Sequence, residues 1–328
     1  GEAYDELIDE FVMAVKKLYP GVLLQFEDFL TPNAYKLLNR YKNKILCFND
    51  DIQGTASVAL AGVLASCKIT GKEFKDLKVM FLGAGSAATG IADLLKSALM
   101  KHGLSEKEAL KRLNFCDIDG LLVKGRKGLM EHNLPYAHDM NSIPFKEAIS
   151  TLEPDVLIGA TGSGGTFDQE VIEAMSKVNE RPVIFALSNP TSKAECTAEQ
   201  AYSWSDGKAI FVSGSPFNPV EYKGKTLVPG QGNNAYIFPG LGMGLLVSKA
   251  KGVNDQLLLA AAETLADQVT EEDLAQGKLY PSLKNIRQVS HAIACRVANL
   301  VYELGLTRKR RPTNLEDRIR KNMYDPKY

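Results

Sequence analysis

A glycine motif after a short apolar segment constrains the fold of this chain more than any other feature. Residues 78–82, Lys-Val-Met-Phe-Leu, have the composition of a buried strand, and Gly83 and Gly85 follow directly. In such a motif the first glycine forms a tight turn and the second lets the backbone approach a pyrophosphate. A small third residue, here Ala88, lets the next helix pack closely. The pattern predicts a strand, a dinucleotide-binding turn and a helix to about residue 100.

The predicted dinucleotide site extends beyond the two glycines. Ser86, Ala87 and Ala88 open the helix, where free N–H groups and the positive end of the helix dipole favour phosphate. Asp117 ends the strand predicted at residues 113–116 and is expected to accept hydrogen bonds from the adenosine ribose. It lies further from the glycines than the usual spacing of about 20 residues. The alternative is that Asp117 is an ordinary turn residue.

The residues near Asp117 bear on the choice between NAD and NADP. Asp119 would repel the 2′-phosphate of NADP, which favours NAD. Lys124, Arg126 and Lys127 are near enough in sequence to contact such a phosphate, so NADP is the alternative cofactor.

Downstream of the glycine motif, apolar strands alternate with helices. Further strands are predicted at residues 113–116, 156–158, 183–186 and 209–212. This alternation is typical of a parallel sheet covered by helices on both faces. We therefore predict an α/β fold with a doubly wound, Rossmann-like parallel sheet. Parts of a second α/β domain and a C-terminal helical segment are expected to flank it.

Changes in pattern divide the chain into four segments. The first begins with a helix predicted at residues 3–18 and continues with a strand at 22–26 and a helix start at Thr31-Pro32. The residues before this strand are too few to form a complete domain. We therefore expect the N-terminal part of the domain that contains this strand to be missing. The predicted segments are a partial substrate and metal domain (1–49), a dinucleotide-binding domain (50–235), a helical return to the substrate domain (236–305) and a basic, irregular tail (306–328).

Composition excludes several classes of protein. Lys and Arg number 39, as do Asp and Glu, so the chain has no basic field that would favour nucleic acid. No uninterrupted apolar run reaches about 18 residues, so no membrane span is predicted.

His132 and His138 lie in a polar stretch and are expected to be solvated. The cysteines lack CxxC spacing and predict free thiols in a soluble intracellular protein: Cys47, Cys67, Cys116, Cys196 and Cys295.

Two pairs of adjacent acids stand upstream of the glycine motif. Glu27 and Asp28 follow the first predicted strand, and Asp50 and Asp51 precede an Ala-rich helix. Carboxylate oxygens are hard ligands that suit Mg²⁺ or Mn²⁺ better than zinc. The alternative is that Asp28 and Asp51 cap the helices that they precede.

Several longer motifs resemble those of malic enzymes over essentially the whole chain. They are QFEDF at 25–29, FNDDIQGTA at 48–56, FLGAG at 81–85, ERPVIFALSNPTSKAEC at 180–196 and PGQGNNAYIFPG at 229–240. The resemblance implies oxidative decarboxylation of L-malate to pyruvate and CO₂, with reduction of NAD(P)⁺ and a divalent metal ion. It also implies a homodimer or homotetramer in the mitochondrial matrix or cytoplasm.

The resemblance assigns roles to the two acid pairs. Glu27, Asp28 and Asp51 look like the metal ligands. Asp50 is similar to the neighbouring acid that supports the general base, and it is therefore the candidate catalytic residue.

The same resemblance gives roles to three asparagines. Asn189 and Asn234 look like the amides that contact substrate, and Asn189 and Asn233 are expected to contact the cofactor. Without the resemblance, Asn189-Pro190 is a loop turn and Asn233-Asn234 part of a flexible connector.

The chain departs from the family pattern in its proton-transfer groups. The catalytic lysine and tyrosine of malic enzymes belong to a segment upstream of residue 1, and no lysine or tyrosine here stands in a matching motif. We therefore expect cofactor and metal groups without the full catalytic set. Two alternatives are a catalytically silent NAD-binding fragment and another Rossmann dehydrogenase.

Overall fold

The structure, a computed structural model, describes residues 1–30 and 33–325, so the helix start predicted at Thr31-Pro32 lies outside the described residues. The helices are α1 (Glu2–Leu18), α2 (Asn33–Tyr41), α3 (Thr55–Thr70), α4 (Ser86–Lys101), α5 (Glu106–Lys111), α6 (Phe145–Leu152), α7 (Gln169–Val178), α8 (Ala198–Trp204), α9 (Phe238–Ser248), α10 (Asp255–Asp267), α11 (Glu271–Ala275), α12 (Ile286–Glu303) and α13 (Leu315–Asn322). The strands are β1 (Leu24–Phe26), β2 (Cys47–Asn49), β3 (Val79–Leu82), β4 (Leu113–Asp117), β5 (Gly120–Leu121), β6 (Val156–Gly159), β7 (Val183–Ala186), β8 (Ile210–Ser213), β9 (Val220–Tyr222), β10 (Lys225–Leu227) and β11 (Gly230–Gln231).

Seven strands form the central sheet in the order β11-β8-β7-β6-β3-β4-β5. All neighbouring pairs are parallel except β4 and β5. Because side chains alternate along a strand, Val79 and Phe81 of β3 enter one apolar core, while Met80 and Leu82 enter the other. Helices α3, α4, α10 and α12 cover the first face, and α6, α7 and α8 cover the second. The predicted doubly wound α/β fold is confirmed.

The sheet order reverses at β3, which pairs with β4 on one side and β6 on the other. Crossovers leave in opposite directions at such a point and open a crevice outside the carboxyl ends of the strands. The predicted glycine turn lies at the carboxyl end of β3, so the fold brings this motif to the crevice.

Five strands escaped the sequence analysis: β2, β5, β9, β10 and β11. β5 has two residues, too few to show a period. β9 and β10 form an antiparallel hairpin whose turn contains Lys223 and Gly224, both with positive φ. That backbone is typical of a two-residue hairpin turn, but Lys-Gly is a weaker sequence signal than Asn-Gly.

The N-terminal segment carries a small parallel sheet of its own. β1 and β2 pair with Phe26 opposite Asn49. Val12, Leu37 and Tyr41 from the flanking helices form a separate apolar cluster with Phe26. This short ladder sets the relative positions of the residues that follow its two strands.

One continuous helical stretch in the described part of the chain, Asp50–Thr70, is long and apolar enough to span a bilayer by length and composition alone. An 18-residue window of this stretch has a mean hydropathy of 1.3, and 67% of that window is buried inside the fold. Its apolar surface therefore packs against protein, as expected of a core helix.

The C-terminal part is helical, as predicted, but its tail is more ordered than predicted. α9 and α12 pack closely where a Cβ on Gly240 would stand 2.7 Å from Cβ of Ile293. The prediction of an irregular tail over residues 306–328 is wrong for α13, which buries Leu315 and Ile319 against α12. Only two apolar positions on this short charged helix signal burial, which explains why periodicity missed it.

Candidate active site

The register of the small sheet brings the two acid pairs together. Glu27 and Asp28 follow Phe26, and Asp50 and Asp51 follow Asn49, its partner across the ladder. One carboxylate oxygen each from Glu27, Asp28 and Asp51 lie within 4.8 Å of one another. The Asp28 backbone N–H donates to Asp51 Oδ2 at 2.8 Å, which fixes the second strand end against the first. Three carboxylates from two separate segments of the chain thus converge on one point.

Helix capping does not account for these acids. The turn formed by residues 50–54 is a π-helical turn, and its cap is Asn49, whose Oδ1 accepts the N–H of Ile52 at 2.8 Å. The cap is therefore not Asp51, whose Oδ2 accepts the Asp28 N–H instead. Among the described residues, α2 spans Asn33–Tyr41. The capping interpretation is wrong for Asp51 and has no support at Asp28.

Asp50 lies behind the three converging carboxylates and is only 2% exposed. Burial, reinforced by the nearby carboxylate of Glu27, raises the pKa of Asp50 to about 7, although a hydrogen bond from Asn234 acts in the opposite direction. The Asn234 amide donates to Asp50 Oδ2 at 3.0 Å. Among the described residues, Asp50 Oδ1 is buried without a hydrogen-bond partner. Asp50 is therefore a buried carboxyl group with a raised pKa, held by Asn234 beside the three converging carboxylates.

A cleft of about 370 Å³ joins the carboxylates to the predicted asparagines. Its wall includes Asn189 from the loop after β7, together with Asn233 and Asn234 from the loop after β11. None of the described residues in this lining is a lysine, arginine or tyrosine. A larger cavity of about 1020 Å³ lies elsewhere, between α2, α4 and α10, and does not contain the carboxylate cluster. The chemistry of the side chains, and not the size of the cavity, identifies the site.

The glycine turn has the predicted geometry. Gly83 has φ of +101°, and a Cβ there would stand 2.5 Å from the carbonyl oxygen of Ala160. A Cβ on Gly85 would meet nothing within 4 Å, which leaves open space beside the turn. Ser86 and Ala87 begin α4, Ala88 is buried, and no side chain in the described part of the chain caps this helix. Its first N–H groups are therefore suitable for binding phosphate.

Two side chains that the sequence analysis treated as solvated or ignored support this turn. His132 Nε2 lies 3.3 Å from the Ala84 carbonyl oxygen, and Asn133 Nδ2 donates to the same oxygen at 3.2 Å. His138 is also partly buried, with Nε2 3.1 Å from the carbonyl oxygen of Leu113. The prediction that these two histidines are solvated is wrong, because their polar neighbours in sequence do not report the backbone that they contact.

Asp117 ends β4, as predicted, but it has a basic partner. The Arg126 guanidinium pairs with Asp117 Oδ2 and lies 3.2 Å from Asp119 Oδ2. This contact with Asp117 is the main reason that the pKa of Arg126 is raised. The arginine therefore compensates the two acids that disfavour a 2′-phosphate.

The residues present fit both a divalent cation and a dinucleotide. For the cation, the donor set consists of carboxylate oxygens, and the buried Asp50 Oδ1 lacks a partner among the described residues. For the dinucleotide, the lack of a side chain at Gly83 lets the glycine turn approach the loop that contains Ala160. Gly85 leaves space in front of the N-terminus of α4.

Together, the reversal point of the sheet, the glycine turn and the acidic cleft define an α/β protein of the dinucleotide-binding class. The family model "Malic enzyme, NAD binding domain" matches residues 52–302, and "Malic enzyme, N-terminal domain" matches residues 1–42. The chain belongs to the malic enzyme family.

Similar proteins cover this chain completely, but the chain covers only part of each. The chloroplastic NADP-dependent malic enzymes of Flaveria pringlei and Zea mays are 51% and 52% identical over an alignment of 333 positions, which covers 100% of this chain and 52% of each relative. The chain thus spans about half the length of these curated relatives. The crystal structure of Entamoeba histolytica malic enzyme shares the fold, with a TM-score of 0.78, 24% identity and coverage of 96% of this chain and 62% of that one.

Proposed function

We propose that this chain carries the metal and cofactor half of a site for the oxidative decarboxylation of L-malate to pyruvate and CO₂. The observation that carries the proposal is the convergence of Glu27, Asp28 and Asp51 in a cleft that Asn189 and Asn234 also line. Malate offers a C2 hydroxyl beside a carboxylate, and this pair of oxygens suits chelation by a cation held at such a cluster.

The proposed roles follow from the chemistry of each side chain. Glu27, Asp28 and Asp51 would hold Mg²⁺ or Mn²⁺. When bound, the cation supplies Lewis-acid polarisation of the malate C2 oxygen, and the dinucleotide accepts hydride. Asp50 is suited to support proton removal from the C2 hydroxyl, because it is a buried carboxyl group that lies beside the proposed metal ligands in the same cleft. Asn234 orients that carboxyl group through its hydrogen bond.

Other residues are proposed to bind the two organic ligands. Asn189 would contact substrate and nicotinamide, Asn234 would contact substrate, and Asn233 would contact the cofactor. The glycine turn and the first turn of α4 would bind the pyrophosphate, through Gly83, Gly85, Ser86, Ala87 and Ala88.

We propose that the cofactor is NADP, although the sequence pattern around Asp117 favours NAD. The relatives from Flaveria pringlei and Zea mays are named NADP-dependent. Arg126 pairs with both Asp117 and Asp119 and offers a guanidinium for a 2′-phosphate. An arginine that pairs with both acids weakens the repulsion on which the preference for NAD rested.

We propose that the isolated chain binds its ligands but turns malate over slowly. The absence of lysine and tyrosine from the cleft lining, within the residues that the structure describes, supports this view. The alternatives are a silent NAD-binding fragment, which would bind dinucleotide without any turnover, and another Rossmann dehydrogenase, which would not need the metal.

Three further proposals concern organisation. Residues 1–49 and 236–305 would form the substrate domain around a cofactor domain at 50–235, with 306–328 as the tail. The protein would act as a homodimer or homotetramer that binds neither nucleic acid nor membrane. All five cysteines are free, which supports a reducing intracellular compartment. The mitochondrial matrix or cytoplasm is proposed, although the two named relatives are chloroplastic.

Separate binding and turnover measurements test the proposed function. We expect NADPH to bind in fluorescence titrations, Mn²⁺ to bind in calorimetry, and malate-dependent NADPH formation to be slow and abolished by EDTA. Turnover that persists in EDTA would favour another Rossmann dehydrogenase. Binding of NADPH without Mn²⁺ binding or turnover would favour a silent fragment.

A further inference from the structure

Glu195 is a carboxylate buried at 0% exposure that the proposed chemistry does not use. It follows the loop after β7 and precedes α8, whose cap is Thr197. No lysine, arginine or histidine forms a salt bridge with it among the described residues. A buried carboxylate without a cation requires several hydrogen-bond donors to offset its desolvation.

Two loops supply those donors. From the loop after β6, the Thr161 N–H donates to Glu195 Oε1 at 2.9 Å, and the Thr161 hydroxyl lies 2.9 Å from the same oxygen. From the loop after β7, the Ser188 N–H donates to Oε2 at 3.2 Å, and its hydroxyl donates to Oε1. Ser188 Oγ also accepts the N–H of Gly162 at 2.9 Å. One carboxylate thus joins the ends of two neighbouring strands.

The surrounding backbone is shaped to admit this side chain. A Cβ on Gly159, the last residue of β6, would stand 2.5 Å from Glu195 Cγ. The Glu195 carbonyl oxygen accepts the N–H of Phe167 at 3.0 Å. The glutamate therefore has a single position, set by both its main chain and its side chain.

The two loops that Glu195 joins lead to different parts of the proposed site. Ala160, next to Thr161, packs with its carbonyl oxygen against Gly83 of the dinucleotide turn. Asn189, next to Ser188, lines the cleft that also contains the three proposed metal ligands. The carboxylate thus lies between the residues expected to bind pyrophosphate and those expected to face nicotinamide and substrate.

We propose that Glu195 is a positioning residue that fixes the loop after β6 and the loop after β7 relative to each other. It acts through Thr161 and Ser188 and itself touches neither ligand. The inference rests on the proposed function, since its ligand-binding consequence requires a dinucleotide to lie across both loops. Its structural consequence, the coupling of the two loops, can be measured without any ligand.

The substitution Glu195→Gln tests the proposal with little change in volume. An amide has one acceptor oxygen and a donor NH₂ group, so with its oxygen at the Oε1 position it can no longer accept the Ser188 N–H at the Oε2 position. At least one buried donor then loses its partner, at a cost that corresponds to about a 10-fold change in an equilibrium. Glu199→Gln is the matched control, because Glu199 is an exposed glutamate on the adjacent helix α8.

Three measurements on the purified 328-residue protein distinguish a positioning role of Glu195 from a general loss of structure in the variant. In Glu195→Gln, the dissociation constant for NADPH should rise about 10-fold. The dissociation constant for Mn²⁺ should stay within about twofold of the parent value, because elements other than these two loops hold the proposed metal ligands. Hydrogen exchange should accelerate at the amides of Thr161, Gly162 and Ser188, with the β3 and β6 amides unchanged. Glu199→Gln should match the parent in all three.

The outcomes distinguish this inference from the proposed function. If the parent protein binds NADPH and Glu195→Gln binds it equally well, the inference is overturned while the proposed function stands. If the parent binds no dinucleotide, the proposed function fails, and unchanged exchange at the three amides would overturn the loop coupling as well. If Glu195→Gln does not fold, Ser188→Ala replaces it, since this variant removes one hydroxyl and should give a smaller change in the same direction.

Discussion

Gly54 lies directly over the carboxyl group of Asp50, so closely that a Cβ on the glycine would stand 2.1 Å from Asp50 Oδ1. The two residues are one π-helical turn apart, at the junction with α3. The backbone of Gly54 is ordinary, so the requirement for glycine is one of space around the carboxyl group. A side chain at this position cannot coexist with the present position of Asp50.

Gly54→Ala should therefore move the Asp50 carboxyl group. We expect a loss of about 1–3 kcal/mol in the free energy of unfolding from overpacking, and an Mn²⁺ affinity at least about 10-fold lower. Urea denaturation and calorimetric titration measure the two effects. Gly252→Ala is the control, because the nearest atom to its Cβ is 3.9 Å away. An Mn²⁺ affinity equal to that of the parent would show that the position of the Asp50 carboxyl group does not affect the three proposed metal ligands.

Glu27→Gln should weaken cation binding without affecting dinucleotide binding. The amide is a poorer ligand than the carboxylate for a hard cation, so the Mn²⁺ dissociation constant should rise at least about 10-fold. Mn²⁺ should also raise the melting temperature of the parent more than that of the variant. Glu10→Gln, an exposed glutamate of α1, is the control. Equal Mn²⁺ binding by Glu27→Gln would exclude this residue as a ligand.

Arg126→Gln should change the preference between the two dinucleotides. Loss of a charged hydrogen bond to a 2′-phosphate is expected to weaken NADPH binding by about 10- to 100-fold. NADH binding should be unchanged or tighter, because Asp117 is released from the arginine to accept from the ribose. Parallel fluorescence titrations with NADH and NADPH give the ratio, with Lys107→Gln, at an exposed position of α5, as the control. A parallel loss of both affinities would indicate damage to the site and not a lost phosphate contact.

Asp93 provides a test of pH dependence away from the metal site. Burial raises the pKa of Asp93, and the surrounding groups are Tyr136, Lys96, Asp255 and His132. Because its pKa is higher in the folded than in the unfolded protein, the folded state binds the proton more tightly. The free energy of unfolding should therefore decrease as the pH rises from about 3.8 through the raised value.

Asp93→Asn should remove this contribution. Its amide oxygen can still accept the Tyr136 hydroxyl, so the variant should melt higher than the parent at pH 7, with a difference that shrinks towards pH 4. Thermal denaturation across this range measures the difference. Asp139→Asn, at an exposed position, should show no such trend. A difference in melting temperature that is constant with pH would rule out this titration as the cause.

The sequence predicted the elements that depend on local periodicity and short motifs. The strands β3, β4, β6, β7 and β8 lie within one or two residues of their predicted positions, and the glycine turn has the expected backbone. Four acids were singled out by their chemistry, and their convergence depends on the pairing of Phe26 with Asn49. That pairing is a long-range contact, which no local pattern encodes.

The features that sequence reasoning missed share one property: they depend on a partner distant in the chain. Glu195 lies in the motif that indicated the family, yet only its contacts with Thr161 and Ser188 reveal its role. His132 and Asn133 meet Ala84 across the sheet edge. A buried acid between apolar neighbours, as in Ala194-Glu195-Cys196, is the one signal that could have marked such a residue beforehand.

The three-residue ladder between β1 and β2 has a consequence for folding. Two strands of this length are too short to be stable by themselves, and in the described chain they pair only with each other. A cation held by Glu27 and Asp51 would close the loop between the strand ends and act as a non-covalent cross-link. Binding of the metal ion and folding of the first fifty residues would then be thermodynamically coupled.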